Sequence, residues 1–281
     1  MPETYTLIDR QTSAQTPIIP DHWRLQSVDG LGMPDIVHVA EEYVGQAGEV
    51  YLSSKLKKRF VNLKFQLVED NEADLWDARY ELLEIVKVLQ AGFYLRIAAP
   101  NGDVRQLDLR YSDGLSLSRD LGQNLAQQMA VLQCVAHDPL LYDPDVIDTT
   151  NWGQAHIGDD EDVLNPGSWE TYPLILIHGA LSNVTVENVT GAETMKLDLG
   201  TYVLTTADDV TIDLDPGYKT ITSTLNGNII SYLTSDSNLA TWRLLTAPVA
   251  PAGVNTIKVS GTGADGATGF MLEYFARYIG M

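Results

Sequence analysis

Thirty-eight carboxylates, five histidines and one thiol are the groups with which this chain could do chemistry, and their spacing decides how much. The histidines (His22, His38, His137, His156, His178) stand apart, with no His-x-x-x-His pair and no cysteine partner, so no metal site is expected. Cys134 lies in the apolar run Met129-Ala130-Val131-Leu132-Gln133-Cys134-Val135-Ala136, where a thiol is buried and inert. Being alone, it also excludes a disulfide framework within the chain. His137 and Asp138 could polarise each other, but Asp138 precedes Pro139, and strand termination is the ordinary explanation. The run Asp159-Asp160-Glu161-Asp162 lacks the spaced ligands and central glycine of a calcium loop. Carboxylate pairs of the kind glycoside hydrolysis needs are available anywhere in so acidic a chain, so they carry no weight. No Gly-x-Ser-x-Gly elbow, phosphate loop or dinucleotide fingerprint occurs. The expectation is a chain with no catalytic residue, no cofactor and no metal.

Charge narrows the partners. The net charge is −20: residues 1–150 hold 13 basic and 23 acidic side chains and residues 151–281 hold 5 and 15, so each part contributes −10. That balance argues against gripping nucleic acid by its phosphates and against an anionic membrane surface. One basic cluster stands out, Lys55-Leu56-Lys57-Lys58-Arg59, leading into the alternating run Phe60–Val68 with Lys64 on its polar face. A solvated loop or lysine-guarded edge strand competes with a salt-bridging contact between subunits, and both fit the acidic background better than nucleic acid does. Lys55, Lys57, Lys58, Arg59 and Lys64 are therefore the candidate subunit-contact residues. The start of the chain is neither basic nor apolar, and no apolar run is long enough to cross a bilayer, so synthesis in a reducing cytoplasm is expected. The sequons at Asn183 and Asn188 are then chance matches.

The elements that would position these groups fall into two parts. Short strands are expected at Thr4–Ile8, Trp23–Val28, Ile36–Val44, Glu49–Leu52 and Phe60–Val68. Asp70–Gln90 is the one convincing helix, capped by Asp70 or Asn71, with Glu72 and Asp74 in its first turn. Its stripe of Trp76, Tyr80, Leu83 and Val86, joined by Leu75, Leu82 and Leu89, is expected to pack on the sheet. Pro100-Asn101-Gly102-Asp103 marks a hairpin between Phe93–Ala98 and Val104–Tyr111. A turn at Asp113-Gly114, a short strand Leu115–Ser118 and a long strand Leu125–His137 follow. Two Asp-Pro pairs, Asp138-Pro139 and Asp143-Pro144, then stop the pairing.

The fold class expected for residues 1–145 is α+β: antiparallel strands, split-barrel-like, with one helix. Residues 146–167 are expected as an acidic linker. Residues 168–281 are expected as a β-sandwich, with strands about every ten residues from Leu174–His178 to Phe270–Tyr278. These include Tyr202–Thr205, Asn228–Thr234 and Thr241–Leu245. Its aromatics (Trp152, Trp169, Tyr172, Tyr202, Tyr218, Tyr232, Trp242, Tyr274) could stack on sugar rings, but core packing is the ordinary use of such residues in strands.

The order of these elements resembles the siphophage distal tail (Dit) family. Four stretches carry the likeness. The hairpin Phe93–Tyr111 followed by Asp113-Gly114-Leu115 looks like that family's. Val131–Tyr142 is similar to that family's last N-terminal strand with its Asp-Pro exit. Asn165–Gly179 looks like the entry to a galectin-like sandwich, and Glu273–Tyr278 fits the closing strand. The resemblance implies a virion protein of the phage tail tip, a homo-hexameric ring that joins the tail tube protein to the baseplate hub. It implies that the N-terminal half forms the ring, that the sandwich projects outward, and that DNA passes through without specific binding. The alternative is a carbohydrate-binding adhesin or receptor-binding module. A galectin's His/Asn/Arg plus Trp/Glu constellation is not recognisable here, so the galectin-like label by itself implies no sugar site.

Overall fold

Strict alternation from Val61 to Leu67 buries every second side chain, and that strand forms the spine of the first half of the protein. The computed structural model describes residues 3–18, 23–45, 47–88, 92–118, 126–199 and 204–281. Chain contacts divide the protein into two units, Met1–Pro144 with Ile279–Met281, and Asp145–Tyr278.

The first unit is antiparallel throughout. Its strands are β1 (Thr4–Asp9), β2 (Gln15–Pro17), β3 (Trp23–Asp29), β4 (Ile36–Glu42), β5 (Glu49–Leu56), β6 (Arg59–Val68), β7 (Phe93–Ala98), β8 (Val104–Ser118), β9 (Gln127–Ala136) and β10 (Leu141–Tyr142). They form one sheet in the order β2-β1-β7-β8-β9-β6-β3, with β10 attached to β8, while β4 and β5 pair only with each other. Phe65, Leu67, Phe93, Leu95, Leu107 and Leu132, all essentially solvent-free, meet in its core. Cys134 is buried among them, and burial pushes its thiol up to about 12, so it stays protonated and inert.

The helix α1 (Glu72–Val88) begins where the sequence signals it. Asn71 caps it: its side-chain oxygen accepts the Asp74 amide at 3.0 Å, and its amide group donates to the Asp74 carboxylate at 2.6 Å. The expected extension to Gln90 lies outside the described residues. At the hairpin, Gly102 adopts φ +94° and Ala98 pairs with Val104. Asp113-Gly114, expected as a turn, instead lies inside β8. That strand pairs with β7 through Leu109 and with β9 from Arg110, and the register slips by two residues between Tyr111 and Leu115. A bulge absorbs the local turn signal without ending the strand.

The second unit is a sandwich of two sheets. One has β11 (Ile147–Asp148), β21 (Gly269–Tyr274), β14 (Leu174–His178), β17 (Asp209–Asp213), β18 (Thr220–Ser223) and β19 (Gly227–Asn228) in that order, with β12 (Trp152–Gly153) on β21. The other runs β13 (Asp160–Leu164), β20 (Val254–Thr262), β15 (Ser182–Asn188), β16 (Glu193–Leu197). Trp242, Phe270, Ile177, Ile212 and Val259 fill the space between them.

The acidic linker is corrected: residues 146–167 contribute β11, β12 and β13 to the sandwich. The run Asp160–Asp162 reads as solvated because it belongs to an edge strand. Asp160 and Asp162 point outward, Asp160 lies 3.5 Å from Lys258, and only Val163 is buried. Charge on an edge blocks unwanted pairing. Thr241–Leu245 is not a strand. One backbone bridge remains, from Leu244 to Thr171, and buried asparagine amides complete the rest: Asn255 accepts from the Leu245 amide at 2.8 Å and donates to its carbonyl at 2.9 Å, and Asn188 donates to the Arg243 carbonyl at 2.7 Å. Asn165 donates to the Leu244 carbonyl at 3.3 Å. Of Asn228–Thr234 only Asn228 is in a strand, and Ile230–Tyr232 form a single 3₁₀ turn. The expected strand Phe270–Tyr278 is broken: β21 stops at Tyr274, the Phe275 carbonyl accepts from the Thr171 hydroxyl at 2.7 Å, and Arg277–Tyr278 form a further two-residue strand. Tyr202 and Val203 of the expected strand Tyr202–Thr205 lie outside the described residues, and Leu204 makes an isolated bridge to Leu181.

Candidate subunit interface

The five basic residues singled out in the sequence separate into three environments. Arg59, expected at a subunit contact, is buried, and its guanidinium is used inside the first unit. Its Nε donates to the Pro139 carbonyl at 2.7 Å, Nη1 to the carbonyls of Gly30 (2.9 Å) and Gly32, and Nη2 to that of Ile279 at 2.8 Å. Burial lowers its pKa and nearby Asp138 opposes that, yet a guanidinium remains charged. The signal missed was its phase: Arg59 shares the inward face of β6 with Val61 and Leu63. Gly30 completes the lock. It sits at φ +101°, and a Cβ there would lie 2.0 Å from the Phe60 carbonyl oxygen, so the Asp29-Gly30 turn admits only glycine.

Lys64 is outward on β6 and pairs with Asp29 across to β3 at 2.9 Å, both ends half-exposed. Its strand is not an edge, because β3 and β9 flank it. Around it the outer face carries the amides of Asn62, Gln66 and Gln133, with Gln26 donating to Gln66 at 2.9 Å, beside Val131 and Met129. Lys55, Lys57 and Lys58 remain exposed, at the foot of the β4–β5 hairpin where it turns into β6; Lys58 lies 5.0 Å over the Phe60 ring.

This hairpin is the least covered part of the chain. Nine large apolar side chains between residues 33 and 60 are exposed, among them Val39, Val44, Val50, Tyr51 (61% exposed) and Leu52. Both faces of the ribbon are open, and a bulge between Val39 and Ala40 twists it. On one face His38 Nδ1 lies 2.8 Å from the Ser54 hydroxyl, which is 2.7 Å from the Tyr51 hydroxyl. The tip is acidic, with Glu41, Glu42 and Glu49.

A second open surface lies on α1. Leu75, Ala78 and Leu82 form its buried face, so the stripe Trp76, Tyr80, Leu83 does not pack on the sheet as expected; the three are 40%, 59% and 39% exposed. The Arg79 guanidinium props the Trp76 ring at 4.1 Å, and the Trp76 and Tyr80 rings are 6.2 Å apart. The sequence held the clue in the adjacent pairs Leu75-Trp76 and Leu82-Leu83, which are too wide for one buried face.

Comparison with known proteins finds no matching family model and no matching curated sequence. Among solved structures, the crystal structure of Dit (gp 19.1) of phage SPP1 covers 97% of this chain and 98% of its own, with a TM-score of 0.69 at 16% identity. The chain has the distal tail protein fold. SPP1 Dit is described as a paradigm of the hub adsorption apparatus in phages infecting Gram-positive bacteria. A chain of the phage P2 baseplate, in its activated conformation with Ca, covers 97% of this chain and 98% of its own, at a TM-score of 0.48 and 9% identity. The resemblance to the distal tail family is thus met at the level of fold.

In the sandwich, the aromatics considered for sugar stacking divide: some are core residues, Trp169 and Tyr172 are half-buried, and others are exposed. Trp152, Trp242 and Tyr274 are buried, Trp152 lies 5.0 Å from Phe270, and Tyr172 is flanked by Lys219 (5.4 Å) and Arg277 (5.9 Å). Tyr218 and Tyr232 are exposed, and Tyr202 lies outside the described residues. No helix among the described residues is long and apolar enough to cross a membrane.

Proposed function

We propose that this chain is a structural protein of a phage tail tip, located in the virion, whose first unit assembles into a homo-hexameric ring joining the tail tube to the baseplate hub. It works through shape and assembly, without catalysis. The observation that carries the reading is the uncovered hairpin and helix stripe in a chain with the fold of SPP1 Dit along nearly its whole length. A lone two-stranded ribbon is at best marginally stable in water, and contiguous exposed apolar surface of this kind is covered in working assemblies. Two different open surfaces on one unit suit a heterologous contact, which closes into a ring.

DNA passes such a ring without being held. The one basic cluster gives up Arg59 to the interior and Lys64 to Asp29, leaving three lysines against a net charge of −20. Light scattering on the purified full chain tests the ring: the expected mass is six times the 30.9 kDa of one chain. A chain that stays monomeric, alone and with its tail-tube and hub neighbours, overturns the reading, as does turnover of a saccharide. Duplex DNA at physiological salt should not bind; tight, salt-sensitive binding would remove the passive passage.

A further inference from the structure

We infer that the β4–β5 hairpin of one copy seats on helix α1 of a second copy of the same chain, its lysine foot against an acidic row on that helix. This rests on the ring reading and names its contact. The stripe Trp76, Tyr80, Leu83 runs at i, i+4, i+7 along one side of α1, and Asp77, Glu81 and Glu84 repeat the same spacing one residue on. The helix therefore carries an exposed apolar row beside an exposed acidic row. The hairpin carries the complement: exposed Val39, Val50 and Leu52, with Lys55, Lys57 and Lys58 at one end.

Neither charged row finds an ion pair among the described residues. The side chains of Lys55, Lys57, Asp77, Glu81 and Glu84 have no ion-pair partner among the described residues, and Lys58 has only the Phe60 ring. The hairpin's acidic tip and basic foot also fix direction, since Glu41, Glu42 and Glu49 would repel the acidic row if the ribbon lay the other way round. Two different surfaces on one unit give a contact that repeats head to tail, the arrangement a closed ring requires. Apolar rows supply the attraction, and the charges set register and reject the reversed fit.

Two surface variants of the full chain test this. One carries W76S and Y80S; the other carries K55E, K57E and K58E. All these positions are exposed, so circular dichroism should match wild type. Each variant alone should weaken assembly at least tenfold and run as monomer where wild type is assembled. Mixed in equal amounts, they should form a dimer that goes no further, because the pair retains one intact hairpin and one intact stripe. As a measurement independent of variants, carbodiimide coupling of mixed ¹⁴N/¹⁵N wild-type rings should join Lys55, Lys57 or Lys58 to Asp77, Glu81 or Glu84 in isotopically mixed peptide pairs. Variants that keep the wild-type assembled mass, or couplings found only within one chain, would overturn the contact while leaving the ring standing. A monomeric wild type would overturn both.

Discussion

The two units solve the same problem, buried polar backbone, by different chemistry. The sandwich settles its irregular loop with three neutral amides, Asn165, Asn188 and Asn255, and folds Trp152, Trp242, Phe270 and Tyr274 into its own core. The first unit uses one buried cation, Arg59, to collect four carbonyls, and leaves Trp76, Tyr80 and a whole hairpin exposed. Neutral amides are forgiving, since each satisfies donors and acceptors locally. A buried guanidinium is all-or-none, because its removal strands every acceptor at once. The contrast teaches that the sandwich is complete in itself, whereas the first unit is locked centrally and left open peripherally, as a part made to be joined.

Arg59→Ala is the strongest way to break this comparison. It should destabilise the first unit by about 3–5 kcal/mol, the usual cost of removing one partner from a buried charged network. Hydrogen exchange should show lost protection in β6 and β9 and none lost in β14 and β21. Uniform loss across both units would mean that they are not independently held. Asn255→Ala attacks the other strategy and should cost about 2 kcal/mol, because the Leu245 amide and carbonyl lose their partner together. Its effect should be confined to the sandwich, read from the same exchange map.

A smaller effect, about 1 kcal/mol, is expected of Asn71→Ala, which removes the helix cap. Circular dichroism and exchange of the first turn of α1 would register it. Smallest is a titration on the sandwich surface. Lys196 first, and Thr234 second, hold the Asp236 carboxyl at about 2, below its ordinary 3.8. A lowered value means the pairing contributes fully above pH 4 and is lost as pH falls through 2. Lys196→Met should move the Asp236 midpoint, followed by NMR, back up toward the ordinary value.

How legible all this was in the sequence depended on whether the signal was periodic or depended on partners. The alternation in Phe60–Val68, the cap at Asn71 and the turn at Asn101-Gly102 are local, and each folds as its residues demand. The strand Asp160–Leu164 was masked by its own charge, which is what an edge strand needs and what a linker also shows. Thr241–Leu245 has strand composition, but its one backbone bridge is from Leu244 to Thr171, and Arg243 and Leu245 bond to the side chains of Asn188 and Asn255, partners that no short window of sequence contains. The candidate interface failed in the same way. Lys58 and Arg59 are adjacent and chemically alike, yet strand phase sends one outward and the other into a cage of carbonyls. Trp76, Tyr80 and Leu83 look like core residues, because exposed and buried stripes of a helix share one period.

The two units are joined by insertion rather than end to end. The sandwich is inserted between Pro144 and Ile279, and its entry strand lies directly beside its exit strand, Ile147 opposite Tyr274. The chain returns to the first unit at Ile279, where Arg59 grips it. An insertion that begins and ends on paired strands can vary between them while the Arg59 lock on the returning segment stays as it is.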